Sequence, residues 1–412
     1  MTLTHWPAGP CWPRRCTAWP DRCRWTGDAQ VFIRTACFNR DVAAFFTKWC
    51  IDLADAQYAD GAFPHVAPDV LRKEQPDPGR GCAAWGDAGV ICPWTIYLCY
   101  GDTRMLERQY ESMAAWISWR EKTSKDLVHG GACFGDWLAP DGNTPRDLIA
   151  TAYFARTAEL MGKTAAALGR RDDARRYAAL ARRVCAAFNR TFVTPAGRVM
   201  GDSQTAYLLA LGFNLLPAAK RAPALERLVA DIERRGFKLS TGFVGTPLLA
   251  PVLTACGRVD VAYKLLLQRE YPSWFYSILQ GATTMWERWN SYSKEKGFGD
   301  AGMNSFNHYA YGAIGEWLYA TVAGIDLDPA KPGYKHIIIR PQPGGGLTWA
   351  RGELLSRYGR IACAWRIEER QLHVDVTIPP NTTATVTLPG RKPERVAAGT
   401  HAYKLPWRKQ AY

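Results

Sequence analysis

The sequence predicts a mainly α fold: an α/α toroid of paired antiparallel helices, followed by a small antiparallel β-sandwich domain. Three observations lead there. Segments with helical apolar periodicity succeed one another from about residue 25 to 323. Loops rich in Trp, Asp and Gly recur at alternate joints between them. After Gly324 the apolar period drops from that of a helix to two. A chain of 412 residues is long enough for one large domain and a smaller one.

The elements follow in order. Residues 1–24 mix Trp, Cys, Arg and Pro without either period, and the prolines block a continuous helix. This segment is expected to be irregular, the product of a truncated or mis-framed gene start. From Trp25 the character changes. Val42, Phe45, Phe46, Trp49 and Leu53 make one helix face. A Pro- and Asp-rich loop spans 60–80, and Ala84-Trp-Gly-Asp-Ala88 opens another helix. An amphipathic stretch covers about 103–122, and Phe134-Gly-Asp-Trp137 lies in a loop. Thr144-Pro-Arg-Asp147 predicts a helix start with Thr as N-cap, Pro at N1 and a carboxylate at N3. In the next helix Ala174, Tyr177, Ala181, Val184 and Phe188 share one face, with arginines opposite. Further helices are expected at 203–215, 217–235, 245–256, 258–269 and 304–323.

Antiparallel helix pairs ringing a central axis place alternate loops at one end, where they form a pit. The barrel is expected over 25–330 and the sandwich over 331–412. In the latter, Pro332 to Pro341 reads as a strand. Ile361, Cys363, Trp365 and Ile367, then Leu372, Val374, Val376 and Ile378, then Ala384, Val386 and Leu388, alternate with polar or small residues.

Composition excludes several function classes. No run reaches the roughly 18 apolar residues of a membrane span. The net charge is +14, yet the basic residues are spread over helix faces and both ends, without a basic cluster interleaved with aromatics. No nucleic-acid partner and no membrane are therefore expected. The 12 cysteines carry no CxxC pair and no His at zinc spacing, so they point to no zinc site. Free thiols in a chain this long fit a reducing, cytoplasmic compartment. The 17 Trp exceed what a core of this size requires, a usage common in carbohydrate-active proteins.

The chemistry centres on Gly281-Ala-Thr-Thr-Met-Trp-Glu-Arg-Trp289, where Glu287 stands between Trp286 and Trp289. Indoles stack on the apolar face of a sugar ring, and a carboxylate between them is a candidate acid or base. Asp28, Asp87 and Asp136 also stand next to or near a tryptophan: Trp25, Trp85 and Trp137. Together they suggest a pit lined by carboxylates and indoles, although each Asp alone serves equally well as a helix N-cap. Two carboxyl groups flanking a glycosidic oxygen hydrolyse it without a cofactor. His308, in Asn304-Ser-Phe-Asn-His-Tyr-Ala-Tyr-Gly312, joins the candidates, with a structural role at a helix start as the alternative.

Trp25-Thr-Gly-Asp-Ala-Gln30, Ala84-Trp-Gly-Asp-Ala88, Gly135-Asp-Trp137, Ser240-Thr-Gly-Phe-Val-Gly-Thr246 and the two runs 281–289 and 304–312 occur in this order. Together they resemble the bacterial α-L-rhamnosidases of glycoside hydrolase family 78, over about residues 25–390. The resemblance implies an (α/α)6 barrel, that is a six-hairpin toroid, followed by the sandwich, and an inverting, metal-independent exo-hydrolase that releases terminal α-L-rhamnose from rhamnose-containing glycosides or oligosaccharides. Glu287 falls on the family's general base and Asp28 on the acidic residue that holds sugar hydroxyls. Trp85, Asp87, Asp136, Trp137, Trp289 and His308 fall on motif positions expected to line the sugar pocket.

The family pattern before Trp-Thr-Gly-Asp resembles Asp-Cys-Pro-x-Arg-Glu-Arg-x-Gly-Trp, with the Glu as general acid. Here Asp21 takes the Glu position, Arg22 matches, and Arg24 replaces Gly. Asp21 is thus the expected acid, one methylene shorter, and weak action on unactivated rhamnosides is expected. The resemblance implies β-rich domains before this region, and the chain is expected to be a truncated form without them. Two other readings remain: a sugar-binding pseudoenzyme, and another inverting (α/α)6-barrel glycosidase.

Overall fold

The computed structural model describes residues 25–72, 80–130, 134–300 and 302–407. Six helical pairs make up the barrel among these residues. They are α1 (Thr26–Asn39) with α2 (Ala43–Asp55), α3 (Ala88–Tyr100) with α4 (Arg104–Thr123), and α5 (Arg146–Ala167) with α6 (Arg171–Phe192). Next come α7 (Gln204–Gly212) with α8 (Ala218–Arg234), and α9 (Thr246–Ala255) with α10 (Val259–Leu266). The sixth pair joins the short α11 (Trp274–Leu279) to α12, a composite of a 3-10 turn Ala310–Ala313, an α turn Ile314–Trp317 and a π segment Leu318–Ala323.

Burial explains the two rings. From Leu148 to Ala165, α5 buries almost every side chain, and α7 is buried from Gln204 to Leu211. A helix that is apolar on all sides belongs inside. The outer α6 instead buries a stripe of Tyr177, Leu180, Ala181, Val184 and Phe188 and turns Arg175, Arg176, Arg182 and Arg183 to solvent. The inner helices contact one another in sequence, α1 to α3, α3 to α5, α5 to α7, α7 to α9 and α9 to α12, and α12 closes the ring on α1. Their N-terminal ends, and the loops leading into them, share one end of the barrel.

One predicted helix start is corrected. Thr144 does not cap α5; its hydroxyl pairs with Ser203 Oγ at 2.6 Å, Pro145 occupies the cap position, and Asp147 Oδ1 accepts the N–H of Leu148. Packing against the neighbouring hairpin takes the hydroxyl that a free helix would keep for its own end.

The C-terminal domain has two four-stranded sheets. Strands β5 (Trp349–Ser356), β6 (Gly359–Glu368), β7 (Gln371–Ile378) and β10 (Gly399–Pro406) form an antiparallel sheet in the order β10-β7-β6-β5. Strands β3 (Ile325–Leu327), β4 (His336–Ile339), β8 (Thr383–Val386) and β9 (Glu394–Val396) form the other, in the order β3-β4-β8-β9. Two details depart from expectation. The β4–β8 pair is parallel, and β3 draws the sheet domain's start back to Ile325, ahead of the expected boundary near 330. A two-stranded ribbon, β1 (Tyr292–Ser293) with β2 (Gly297–Phe298), sits instead inside the barrel's sixth pair.

The domains are tied by polar contacts across an apolar seam. Arg34 on α1 reaches Asp326 and the Tyr334 hydroxyl, Trp365 Nε1 donates to Val322 O at 2.7 Å, and the Tyr263 hydroxyl donates to Gln342 O at 2.7 Å. Five of the described cysteines (Cys37, Cys50, Cys92, Cys99 and Cys363) are free and buried. Among the described residues no helix is long and apolar enough to cross a membrane.

Candidate active site

A cavity of about 180 Å³ opens at the N-terminal end of the inner ring, lined by Trp25, Asp28, Trp85, Phe134, Trp137, Phe243, Glu287, Met303 and His308. Each wall residue sits in the first turn of an inner helix or in the segment leading into one, so one barrel end collects chemistry from five such segments.

Asp28 lies in the first turn of α1, where the helix dipole favours negative charge. It is nearly inaccessible, and its Oδ1 is 2.9 Å from His308 Nε2. The other ring nitrogen, Nδ1, receives the N–H of Ala310 at 3.4 Å, which assigns the proton to Nε2. His308 therefore donates to Asp28. Backbone pairing holds both neighbours of this site: Glu287 N–H donates to Ser305 O at 2.8 Å, and His308 N–H donates to Met285 O at 2.9 Å. The chain segment with Glu287 thus lies against the segment with His308, and both side chains reach the same half-enclosed space.

The aromatic walls hold one another edge to face. Phe134 contacts Trp25, Trp85 and Trp137 with ring centroids 5.8, 4.8 and 5.8 Å away. Phe243 packs on His308 at 5.1 Å. Close approach of backbone supports this arrangement. A Cβ on Gly27 would lie 2.6 Å from the Trp85 indole, so the start of α1 can meet that ring only as glycine.

Three of the expected pocket residues stand behind the wall instead. Asp87 is fully buried and accepts from Trp116 Nε1 at 3.0 Å, from Arg120 Nη2 at 2.8 Å and from the Ala84 N–H at 2.8 Å. Burial pushes its carboxyl up, and Arg120 opposes that shift. Ala84 has φ +68°, so the Asp87 bond secures a left-handed turn that aims Trp85 at the cavity. Asp87 precedes α3 but makes no side-chain cap bond. Asp136 accepts from the backbone N–H groups of Gly242, Val244 and Gly245 at 2.8, 2.8 and 3.1 Å and from the Thr205 hydroxyl. Burial raises its carboxyl too, and these donors pull it back. Trp289 is buried, stacked on Tyr311 at 4.0 Å and edge-on to Trp274.

Trp286 likewise packs inward on Phe306 and Tyr292, so the tryptophans beside Glu287 in sequence brace its loop rather than face the cavity. Arg288 turns outward to Asp300. The proposed acid, Asp21, lies outside the described residues. Trp25, Phe134, Phe243 and Met303 are wall residues that the sequence reading did not select, although the first three lie in runs it had singled out. Among the described residues no group of three His, Cys, Asp or Glu side chains could hold a metal ion.

Comparison with known proteins follows the same division. The bacterial α-L-rhamnosidase six-hairpin glycosidase domain matches residues 13–322, and the bacterial α-L-rhamnosidase C-terminal domain matches 324–402. An α-L-rhamnosidase of Streptomyces avermitilis is 47% identical over 384 residues, covering 93% of this chain and 36% of its own length. One from Formosa agariphila is 45% identical, covering 92% of this chain and 41% of its own. The crystal structure of the Streptomyces avermitilis α-L-rhamnosidase complexed with L-rhamnose superposes with a TM-score of 0.88 at 45% identity, over 92% of this chain and 38% of that one. The chain thus spans about two fifths of the length of these relatives. With the two family descriptions matching successive stretches of the chain, over the six-hairpin ring and over its sheet domain, this chain belongs to the bacterial α-L-rhamnosidase family.

Proposed function

We propose that the cavity takes a single terminal α-L-rhamnosyl residue and that its glycosidic bond is hydrolysed with inversion. The observation that carries this reading is the convergence of Glu287 with the Asp28–His308 pair in one small aromatic-walled cavity. The cavity has the scale of one sugar ring and not of a chain, which fits an exo-acting enzyme. Trp25, Trp85 and Trp137 offer stacking faces. His308 holds Asp28 Oδ1, leaving Oδ2 to accept a sugar hydroxyl. Glu287 takes a proton from the attacking water.

The leaving-group oxygen needs an acid from another segment, and Asp21, four residues before the wall residue Trp25, is the candidate. An inverting pair stands roughly 6.5–9.5 Å apart, leaving room for that water. No metal enters this scheme. The substrates are rhamnose-containing glycosides, and the buried free thiols favour a reducing, cytoplasmic setting.

The test is hydrolysis of an aryl α-L-rhamnoside followed by proton NMR. Such a leaving group needs little protonation. The β-anomer of L-rhamnose is expected first. First appearance of the α-anomer contradicts inversion, and L-rhamnose binding without turnover selects a sugar-binding pseudoenzyme.

A further inference from the structure

We infer that Asp136 is a positioning residue. Its carboxylate clamps the 240–246 loop to the turn that carries Trp137, and so sets Phe243 against His308. This inference deepens the reading of the cavity as a rhamnose site and rests on it.

The clamp is built from four donors on one carboxylate. Oδ1 accepts the N–H groups of Val244 at 2.8 Å and Gly245 at 3.1 Å, and Oδ2 accepts the N–H of Gly242 at 2.8 Å and the Thr205 hydroxyl. Gly245 is the cap residue of α9, so the side chain occupies the position at a helix N-terminus where an anion binds. A fifth bond crosses the same seam, from Phe243 N–H to Trp137 O at 2.9 Å. The two backbones touch there. A Cβ on Gly242 would fall 2.1 Å from Trp137 O, and one on Gly245 would fall 2.2 Å from Thr205 Oγ1. Glycine is required at both places for the clamp to close.

What the clamp positions is functional. Phe243 and Trp137 are walls of the cavity, and Asp136 itself is not. The Phe243 ring lies 5.1 Å from the His308 ring, and His308 donates to Asp28. The line of action therefore runs from Asp136 through the 242–245 backbone to Phe243, then to His308 and Asp28. The carboxylate must be ionised, because four donors already use both oxygens. It has no lone pair to spare for a sugar hydroxyl, which is why the direct substrate contact expected from sequence is replaced by an indirect role.

The test is a double-mutant cycle on L-rhamnose binding, with Asp136→Asn, Phe243→Leu and both together, measured by titration calorimetry. Amide hydrogen exchange over 240–246 is followed in parallel. In Asp136→Asn the new NH2 faces donors in place of an acceptor, so one side of the clamp must open. Exchange over 240–246 is expected to speed up, and rhamnose affinity to fall about tenfold, the size of coupling expected for residues that act as one unit. With Phe243 already changed, Asp136→Asn should cost much less, and Asp136→Glu should recover part of the loss.

Additive losses in the cycle overturn the inference, because they make Asp136 an independent sugar contact or a general stabiliser. Unchanged exchange over 240–246 in Asp136→Asn also overturns it. If Asp136→Asn fails to fold, Thr205→Val removes one donor only and must give a smaller loss of the same non-additive kind, and an additive loss there counts against the clamp. The parent chain failing to bind rhamnose refutes the reading of the site, whereas the exchange result judges the clamp without any sugar.

Discussion

Replacing Asp87 by Ala tests how the wall is held from behind. Asp87 and Arg120 pair at 2.8 Å with both side chains fully inaccessible. Among the described residues Arg120 Nε and Nη1 already lack a hydrogen-bond partner, and Asp87 is the carboxylate paired with this guanidinium. Breaking a buried pair by removing one partner costs about 3–5 kcal/mol, since an uncompensated charge stays behind. Trp116 Nε1 and the Ala84 N–H are orphaned as well, at about 1–3 kcal/mol each when nothing replaces the acceptor. These costs overlap, and a loss of about 5 kcal/mol is expected. That is comparable to the whole stability of many domains, roughly 5–15 kcal/mol.

The assay is urea unfolding, read as a fall in midpoint at unchanged slope. The double replacement Asp87→Leu with Arg120→Met removes the stranded charge and should recover most of the loss, leaving about 2 kcal/mol for the orphaned donors. Wherever the single variant still folds, rhamnose binding should weaken, because Ala84 loses the bond that holds its left-handed turn in front of Trp85. A single-variant loss below about 1 kcal/mol, or a double variant worse than the single, would refute this reasoning.

Two further outcomes are expected. Gly27→Ala drives a methyl to 2.6 Å from the Trp85 indole and should cost about 1–3 kcal/mol of overpacking, offset by at most about 1 kcal/mol of helix propensity, with weaker rhamnose binding by calorimetry. His129 is buried beside Arg120, and burial pushes its pKa down to about 3, below its usual value near 6.5. The fold therefore holds the ring neutral; its contribution to stability is complete above about pH 6.5 and is lost as pH falls towards 3. Urea midpoints measured across that window should fall, and His129→Gln should flatten the fall.

Much of this architecture was legible in the chain. Leu372, Val374, Val376 and Ile378 alternate because one face of β7 is buried, and the α6 stripe opposes arginines because that helix is on the outside. The parallel β4–β8 pair was not legible, since period two reports burial and not strand direction. In the site, motif runs led to Glu287, Asp28, Trp85, Trp137 and His308. They did not separate a side chain facing the cavity from one facing away. Asp87 and Asp136 read as ligands beside tryptophans, but their partners, Arg120, Thr205 and the 242–245 backbone, come from distant elements. Phe243 was hidden for the complementary reason: a single Phe between glycines carries no mark of pairing with His308 until the ring closes.

The most direct test of the account is Glu287→Gln, assayed for both binding and turnover. Gln keeps the shape and the Ser305 backbone pairing of this position but cannot take a proton from water. L-rhamnose affinity by calorimetry should remain close to that of the parent, while hydrolysis of an aryl α-L-rhamnoside should fall about 10²–10⁴-fold, the range for loss of a general base. Near-parental turnover in the variant would contradict the account, because the carboxylate in the aromatic cavity would then not be the group that activates water.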